Sequence, residues 1–287
     1  MPRMDKDPSS NLVAFRLAGV ERPAIGQGRT RDDDAVRQAW REVQRAHRAT
    51  GAQVVELYSE WEPSAADLAF IEHEFPEARL TYSFDRPRDG DWDAAFADAH
   101  QAMAKAEFER KVRHAEEHGE LLPVLWTVRP QSGPLLQALP FHEVVPGGLV
   151  VALATVAATE RGTIGVSHFM DRSTFGERLG EAFGNLTRGL RVDALDNGVL
   201  SLRREGYFVS SAVALPDFPQ RMTQLLETDR IVVAIPDPDH LLVAAAGSGP
   251  AAEFGRIVRE SPFEGTELAP MLLEGGHQSL RVIQTYP

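Results

Sequence analysis

The chain has 287 residues, no cysteine and a formal net charge of -12 at pH 7. The lack of cysteine excludes disulfides, thiolate zinc sites and a cysteine nucleophile. The negative charge argues against nucleic acid as a partner, because phosphate contact needs clustered Lys and Arg.

Length and hydropathy also predict how the chain is organised. A single hydrophobic core stops growing near this length, so we expect two domains. The sequence has no run of about 18 apolar residues, and its first ten residues lack the apolar stretch of a signal peptide. We therefore expect a cytoplasmic protein with no membrane partner.

Strand and helix patterns alternate through the first part of the chain. A strand pattern begins near Leu12, and a turn region rich in glycine and proline follows it up to residue 28. The next pattern is helical, because Val36, Trp40 and Val43 share one face. Strand, helix, strand and helix patterns come after it. This order predicts an acidic α/β N-terminal domain over residues 1–118.

The remainder of the chain divides into a connector and a second domain. Residues 119–146 are punctuated by prolines, which predicts a proline-rich connector with short extended pieces. Residues 147–287 alternate strand patterns, one of them over residues 207–215, with helix patterns, which predicts an α+β C-terminal domain. The predicted fold class is α/β (α+β), with two domains that each have a mixed or mainly antiparallel sheet and helices packed on it.

One stretch of the second half resembles a known family. The segments LPFHEVVPGGLVVALA, AFGNLTRGL, GYFVSSAVALPDF and DRIVVAIPDPDHLLVAA occur in the order found in the YtpQ-like family of uncharacterised bacterial proteins. The resemblance covers roughly residues 135–262. It implies an α/β fold and no known reaction. The turn after AIP departs from the family pattern, because Asp237-Pro238-Asp239 stands where the family usually has a charged pair.

The segment HAEEH, residues 114–118, has the H-x-x-E-H spacing of inverted zinc peptidases. On a helix, His114 and His118 lie one turn apart. Phe108 and Ala115 lie on a different side, which predicts that this other side is buried and that the histidines face water. A histidine in the last turn also interacts favourably with the negative end of a helix. We interpret the segment as the polar end of a helix and predict no metal site.

Two segments of the second domain carry side chains suited to a metal-assisted hydrolase. His168 and Asp171 follow a predicted strand, and Asp237, Asp239 and His240 occupy the turn between two apolar strands. The Asp-Pro-Asp sequence is also favoured in tight turns for conformational reasons alone. Adjacency in sequence supplies no oxyanion hole for His168. Catalysis at either segment is therefore the alternative interpretation.

Acidity is concentrated in one segment, and two tryptophans lie within it. Residues 54–100 contain twelve acidic and three basic residues, a net charge of -9, whereas residues 1–53 contain seven acidic and ten basic residues, a net charge of +3. Large aromatic side chains surrounded by charge are typical of interface anchors, although a tryptophan at a helix start also packs locally. The predicted partner-binding residues are Glu60, Trp61, Glu62, Asp91, Trp92 and Asp93.

These patterns predict a function in protein binding rather than catalysis. We expect a non-catalytic cytoplasmic protein, with no cofactor, that presents its acidic surface to a basic protein partner. The most specific form of this hypothesis is an immunity or antitoxin-like inhibitor, since such proteins often imitate an acidic substrate. The alternative is a metal-assisted hydrolase that uses His168 and Asp171, or Asp237, Asp239 and His240. The oligomeric state is left open.

Overall fold

The computed structural model describes residues 9–129, 133–160, 162–265 and 267–286. The α/β class that the sequence predicts is confirmed, since the helices of the described residues pack with three mostly antiparallel sheets. The internal contacts divide the chain into two compact units, Met1–Glu107 and Phe108–Pro287.

The first unit is built on a four-stranded sheet in the order β2-β1-β3-β4. Neighbouring strands are antiparallel except β3 and β4, which are parallel and joined by the helix α2. The elements are β1 (Ser10–Leu17), β2 (Ala24–Arg29), α1 (Ala35–His47), a 3-10 turn (Gly51–Gln53), β3 (Val54–Trp61), α2 (Ala65–Glu74), β4 (Arg79–Phe84) and α3 (Trp92–His118).

The core of the first unit lies between one face of the sheet and the helices. Phe15 of β1, Trp40 of α1 and Phe75 beside α2 are almost fully buried, with ring centroids 4.9 to 5.8 Å apart. Aromatic pairs at such distances add stability beyond their buried area. The helix predicted around Val36 and Trp40 is therefore present, and its apolar face packs on the sheet.

The sequence interpretation missed the second strand. Pro23, Gly26 and Gly28 were expected in a turn region, but residues 24–29 form β2 and pair with β1. The glycines belong there because α1 crosses the strand at very short range. A Cβ on Gly28 would lie 2.0 Å from the carbonyl oxygen of Ala35, and one on Gly26 would meet α1 nearly as closely. Glycine in a strand commonly marks such an approach of another backbone.

The second unit contains two sheets that share a large apolar core. One sheet has the order β14-β13-β11-β12-β10-β9, and the other has the order β5-β7-β6 with β8 also paired to β7. The elements are β5 (Glu120–Thr127), α4 (Gly133–Ala138), β6 (His142–Val145), β7 (Leu149–Ala158), β8 (Ile164–His168), α5 (Phe175–Thr187), β9 (Arg191–Ala194), β10 (Val199–Arg203), a 3-10 turn (Val209–Ala214), α6 (Phe218–Leu225), β11 (Ile231–Asp237), β12 (His240–Ala245), α7 (Gly249–Arg259), β13 (Met271–Gly275) and β14 (Leu280–Thr285).

The segment predicted as a proline-rich connector, residues 119–146, is part of the second unit's sheet structure. Its strand β5 pairs with β7 along its whole length, from Glu120 opposite Val156 to Thr127 opposite Leu149. Pro123 lies inside β5. A proline is tolerated there because β5 ends its sheet, so a missing N–H on the outer side breaks no ladder hydrogen bond. The connector prediction was wrong because proline content alone does not exclude an edge strand. Residues 130–132 of the segment lie outside the described residues.

The segment over residues 207–215 differs from its predicted structure. Residues 207–215 were expected to form a strand, but Phe208 adopts a left-handed backbone with φ of 63° and a 3-10 turn begins at Val209. A short apolar run does not by itself distinguish a strand from a buried helical turn.

The first domain was expected to end at residue 118, whereas the boundary between the units falls inside α3, after Glu107. The end of α3 packs in the second unit, where Ala115 is fully buried.

Candidate functional site

The two tryptophans of the acidic segment form a small aromatic core in the first unit. Trp61 ends β3, Phe84 ends β4, and Trp92 and Phe96 belong to the first turns of α3. The ring of Trp61 lies 5.2 to 5.3 Å from each of the other three ring centroids. We call these four residues the aromatic cluster. It fixes the start of α3 to the ends of two neighbouring strands.

The predicted role of the tryptophans as exposed anchors is not supported by their burial. Trp61 is 5% exposed and Trp92 is 8% exposed, so both rings lie inside the unit. Glu60 is also buried, at 3% exposure. Trp61 is buried because side chains alternate between the two faces of β3, and Trp61 lies on the face covered by helices. There its ring contacts the ring of Trp92. The alternative interpretation, local packing of the helix start, describes these rings correctly.

The other predicted residues lie at the surface. Glu62 is half-buried, and Asp91 and Asp93 are exposed. Asp91 caps α3, because its Oδ1 accepts a hydrogen bond from the backbone N–H of Ala94 at 3.1 Å. Asp89 in turn accepts from the backbone N–H of Asp91 at 3.1 Å. We call Glu62, Asp89, Asp91 and Asp93 the acidic rim.

Two arginines beside the acidic rim are engaged by the protein itself. The guanidinium of Arg86 stacks on the Trp92 ring and bonds to Asp33 Oδ1 at 2.9 Å and to the carbonyl oxygens of Arg31 and Asp32. Arg31 lies over the ring of Phe96 and donates to Asp93 at 3.1 Å. Sequence reasoning missed both arginines, since nothing local indicates that residues 31–33 and 86 meet.

The electrostatic effect of the acids is visible at Tyr82 on the neighbouring strand. The negative charge of Glu62 raises the pKa of the Tyr82 hydroxyl, and burial, the charge of Asp85 and a hydrogen bond to Glu62 act in the same direction. Negative charge around a phenol favours its neutral form. The surface next to the acidic rim is therefore electronegative as well as rich in carboxylates.

His168 and Asp171, the first pair of the hydrolase alternative, contact different groups in the structure. Asp171 accepts hydrogen bonds from the Ser173 hydroxyl at 2.6 Å, the Ser173 backbone N–H at 2.8 Å and the Thr174 hydroxyl at 2.9 Å. These bonds, led by that of the Ser173 hydroxyl, lower the pKa of the Asp171 carboxyl. His168 has other neighbours: its ring lies 5.4 Å from that of Trp126, and its Nε2 lies 3.8 Å from Glu267. Asp171 thus organises the turn that leads into α5.

The second set does lie together, in the turn between β11 and β12. His240 Nδ1 is 2.8 Å from Asp237, whose Oδ1 also accepts from the backbone N–H of Asp239. The Asp239 carboxylate accepts a hydrogen bond from the backbone N–H of Phe208 at 2.7 Å. This bond fixes the backbone of Phe208, the residue with positive φ that precedes the 3-10 turn. These contacts give each carboxylate a conformational role. Among the described residues, no group of three His, Cys, Asp or Glu side chains is arranged to hold a metal ion.

The histidines of HAEEH form the last turn of α3. Their rings lie 5.0 Å apart, and His114 Nε2 is 2.8 Å from the carbonyl oxygen of Ala158, the last residue of β7. Ala115 is buried as expected, but Phe108 is 65% exposed and does not belong to the buried side. The helix ends at His118, where the backbone N–H of Gly119 bonds to the carbonyl oxygen of Ala115.

Comparison of the chain with models of protein families, with curated proteins and with solved structures finds no match. The resemblance of residues 135–262 to the YtpQ-like family therefore stays a prediction. Among the described residues, no helix is both long enough and apolar enough to cross a membrane.

Proposed function

We propose that the chain is a non-catalytic cytoplasmic protein that binds a basic protein partner through the acidic rim. The observation that carries the proposal is how these carboxylates are held. Asp89 and Asp91 are fixed by hydrogen bonds to backbone N–H groups, and the buried Trp92 lies between Asp91 and Asp93 in sequence. Charges that are already ordered lose little conformational entropy when a partner binds.

The location of the rim favours long-range attraction of a positive surface. Its residues belong to the segment with a net charge of -9, and the guanidinium of the neighbouring Arg86 bonds to Asp33 and lies over the Trp92 ring. Surfaces of one sign raise association rates with partners of the opposite sign. An immunity or antitoxin-like inhibitor, whose target is a protein with a basic nucleic-acid-binding surface, is the most specific form of the proposal.

The experiment compares capture of partners from native lysate by three forms of the full chain. In the variant Asp89→Asn/Asp91→Asn/Asp93→Asn, three charges are removed, while each side chain keeps an oxygen that accepts the same hydrogen bond. Asparagine is also a good helix cap, so α3 is preserved. The matched control is Asp196→Asn/Asp229→Asn/Glu264→Gln, which removes three exposed charges from the second unit.

We expect wild type and the control to capture the same basic protein and the rim variant to lose it. Capture that is equal in all three forms would contradict the proposal. A captured protein that is acidic would contradict it as well, because the rim would then repel its partner.

A further inference from the structure

The strand β4 is an open edge of the first unit's sheet. It is last in the order β2-β1-β3-β4, and among the described residues it pairs only with β3. Thr81, Tyr82 and Ser83 are exposed in the middle of the strand. An exposed edge strand presents unpaired N–H and C=O groups that can pair with another strand.

The direction of the backbone groups follows from one hydrogen bond. The backbone N–H of Glu62 donates to the carbonyl oxygen of Phe84 at 2.7 Å, so Phe84 directs its backbone groups toward β3. The register with β3 is regular, so the backbone groups of Leu80 and Tyr82 point the same way as those of Phe84. The N–H and C=O groups of Arg79, Thr81 and Ser83 therefore point outward, as do those of Asp85 if the strand is continued past Phe84.

Residues 79–85 are complementary to their own reversed order. The sequence Arg-Leu-Thr-Tyr-Ser-Phe-Asp has opposite charges at its ends, then two apolar side chains, then two hydroxyl side chains, with Tyr82 at its centre. We propose that β4 pairs with β4 of a second copy of this chain, antiparallel about a two-fold axis that passes beside Tyr82. The occupant of this edge is thus an identical strand, and the interface is isologous.

The predicted pairs match both the backbone and the side chains. The outward-facing residues form hydrogen-bonded pairs, in which Thr81 meets the partner subunit's Ser83 and Arg79 meets the partner subunit's Asp85. On the other face, Leu80 meets the partner subunit's Phe84, and Tyr82 meets the partner subunit's Tyr82. Opposite charges, hydroxyl pairs and aromatic pairs are the favourable combinations directly across antiparallel strands.

Neighbouring registers lack this complementarity. A shift of two residues in one direction places Glu77 opposite the partner subunit's Asp85, which is a like-charge pair. The opposite shift places Arg79 opposite the partner subunit's Pro87, which has no N–H to donate. Arg79 and Asp85 are both exposed and stand six residues apart along an extended chain, about 20 Å, so they cannot form this pair within one copy.

The dimer does not require the proposed function, since residues 79–85 lie outside the acidic rim, which they contact through the hydrogen bond between Tyr82 and Glu62. A single pair of short strands buries less area than a standard protein interface, so the dimer is weak and depends on protein concentration. Sedimentation velocity of the full chain over a concentration series measures it. We expect wild type to shift from monomer to dimer as the concentration rises. A wild type that is monomeric throughout the series overturns the proposal.

Variants test the edge and the register. Thr81→Pro removes an outward N–H and no internal hydrogen bond, so it should abolish the dimer and leave the circular dichroism spectrum unchanged. Arg79→Asp and Asp85→Arg each place like charges opposite one another, and each should weaken the dimer about tenfold. The control Arg88→Asp makes the same charge change as Arg79→Asp outside the paired strand and should leave the dimer intact.

A mixing experiment decides between this register and a general charge effect. An equimolar mixture of Arg79→Asp and Asp85→Arg chains re-forms both charge pairs across the axis, so it should dimerise at least as well as wild type. The double variant Arg79→Asp/Asp85→Arg should dimerise similarly. If the mixture is no more dimeric than either variant alone, or dimerises equally well when both chains also carry Thr81→Pro, the proposed pairing is wrong.

Discussion

The guanidinium carbon of Arg86 lies 5.1 Å from the centre of the Trp92 ring. The side chain of Arg86 is only 20% exposed, and its nitrogen atoms also bond to Asp33 and to the carbonyl oxygens of Arg31 and Asp32. One arginine thereby joins the loop after β4, the segment before α1 and the first residue of α3. The acidic rim depends on this contact, because Asp89, Asp91 and Asp93 follow Arg86 along the same loop or flank Trp92. Glu62 accepts a hydrogen bond from the backbone N–H of Arg86 at 3.2 Å.

Replacing Arg86 by alanine should lower the free energy of unfolding by about 2 to 4 kcal/mol, since a stacked cation and several charge-assisted hydrogen bonds are lost together. Urea denaturation followed by tryptophan fluorescence measures the change. Arg88→Ala is the matched control and should alter stability by less than about 0.5 kcal/mol, because Arg88 is exposed. Equal effects of the two substitutions would contradict the role given to Arg86.

Replacing Trp61 by alanine should lower the free energy of unfolding by about 3 to 5 kcal/mol, as is usual for a buried tryptophan. The expectation follows from its 5% exposure and its three aromatic neighbours. Denaturant unfolding by circular dichroism checks it. If Trp61→Ala had wild-type stability but failed to bind the partner, Trp61 would be a surface anchor after all.

Replacing Arg204 by alanine should destabilise the second unit by about 2 to 3 kcal/mol, because a buried guanidinium gives up its charge-assisted hydrogen bonds. The side chain of Arg204 is 5% exposed, pairs with Glu120 at the start of β5 and bonds to carbonyl oxygens of Asn185 and Tyr207. Arg203→Ala is the matched control, because the Arg203 side chain is 68% exposed and its ion pair with Asp193 is worth little. Chemical denaturation of both variants makes the comparison. Similar losses in the two variants would show that burial of Arg204 is not the cause.

Asp67 should make the stability of the first unit depend on pH. Its carboxylate accepts hydrogen bonds from the backbone N–H groups of Val36 at 2.8 Å and Arg37 at 3.2 Å, at the start of α1. Burial nevertheless raises the pKa of Asp67 above its ordinary value. The folded state then holds the Asp67 proton more tightly than the unfolded state, so this contribution to stability is present at low pH and is lost as pH rises through the folded pKa.

The comparison with Asp67→Asn isolates this effect, because asparagine keeps an acceptor oxygen and does not titrate. The free energy of unfolding of wild type, relative to that of Asp67→Asn, should be greater at about pH 4 than at about pH 7. Urea denaturation of both proteins at the two pH values measures it. A relative stability that rises with pH would show that the amide hydrogen bonds, rather than burial, dominate the pKa of Asp67.

Local patterns predicted what is decided locally. The apolar face of α1 and the helix end at His118 each follow from residues within a few positions of each other. Pairings between distant segments were missed. Nothing near Pro123 indicates that β5 pairs with β7, and nothing near Gly28 indicates that α1 passes above it.

In the candidate site, too, the features set by neighbouring residues were predicted and the contacts between distant segments were missed. Sequence predicted the acidic segment and the position of its carboxylates, of which Glu62, Asp91 and Asp93 are accessible. The burial of Trp61 and Trp92 was not predictable, because it depends on the meeting of β3, β4 and α3. The burial of Glu60 was missed as well, since its carboxylate accepts the backbone N–H of Leu12 on β1. Arg86 was missed for the same reason, since its partners lie more than fifty positions earlier in the chain.

The measurement that tests the central claim most directly is the association rate with the captured partner as a function of ionic strength. We predict that the rate constant of wild type falls steeply as salt is added and that the rim variant Asp89→Asn/Asp91→Asn/Asp93→Asn associates more slowly with a shallower dependence, because fewer charges steer the encounter. The control Asp196→Asn/Asp229→Asn/Glu264→Gln should follow wild type. Identical salt dependence of wild type and the rim variant would contradict recognition through the acidic rim.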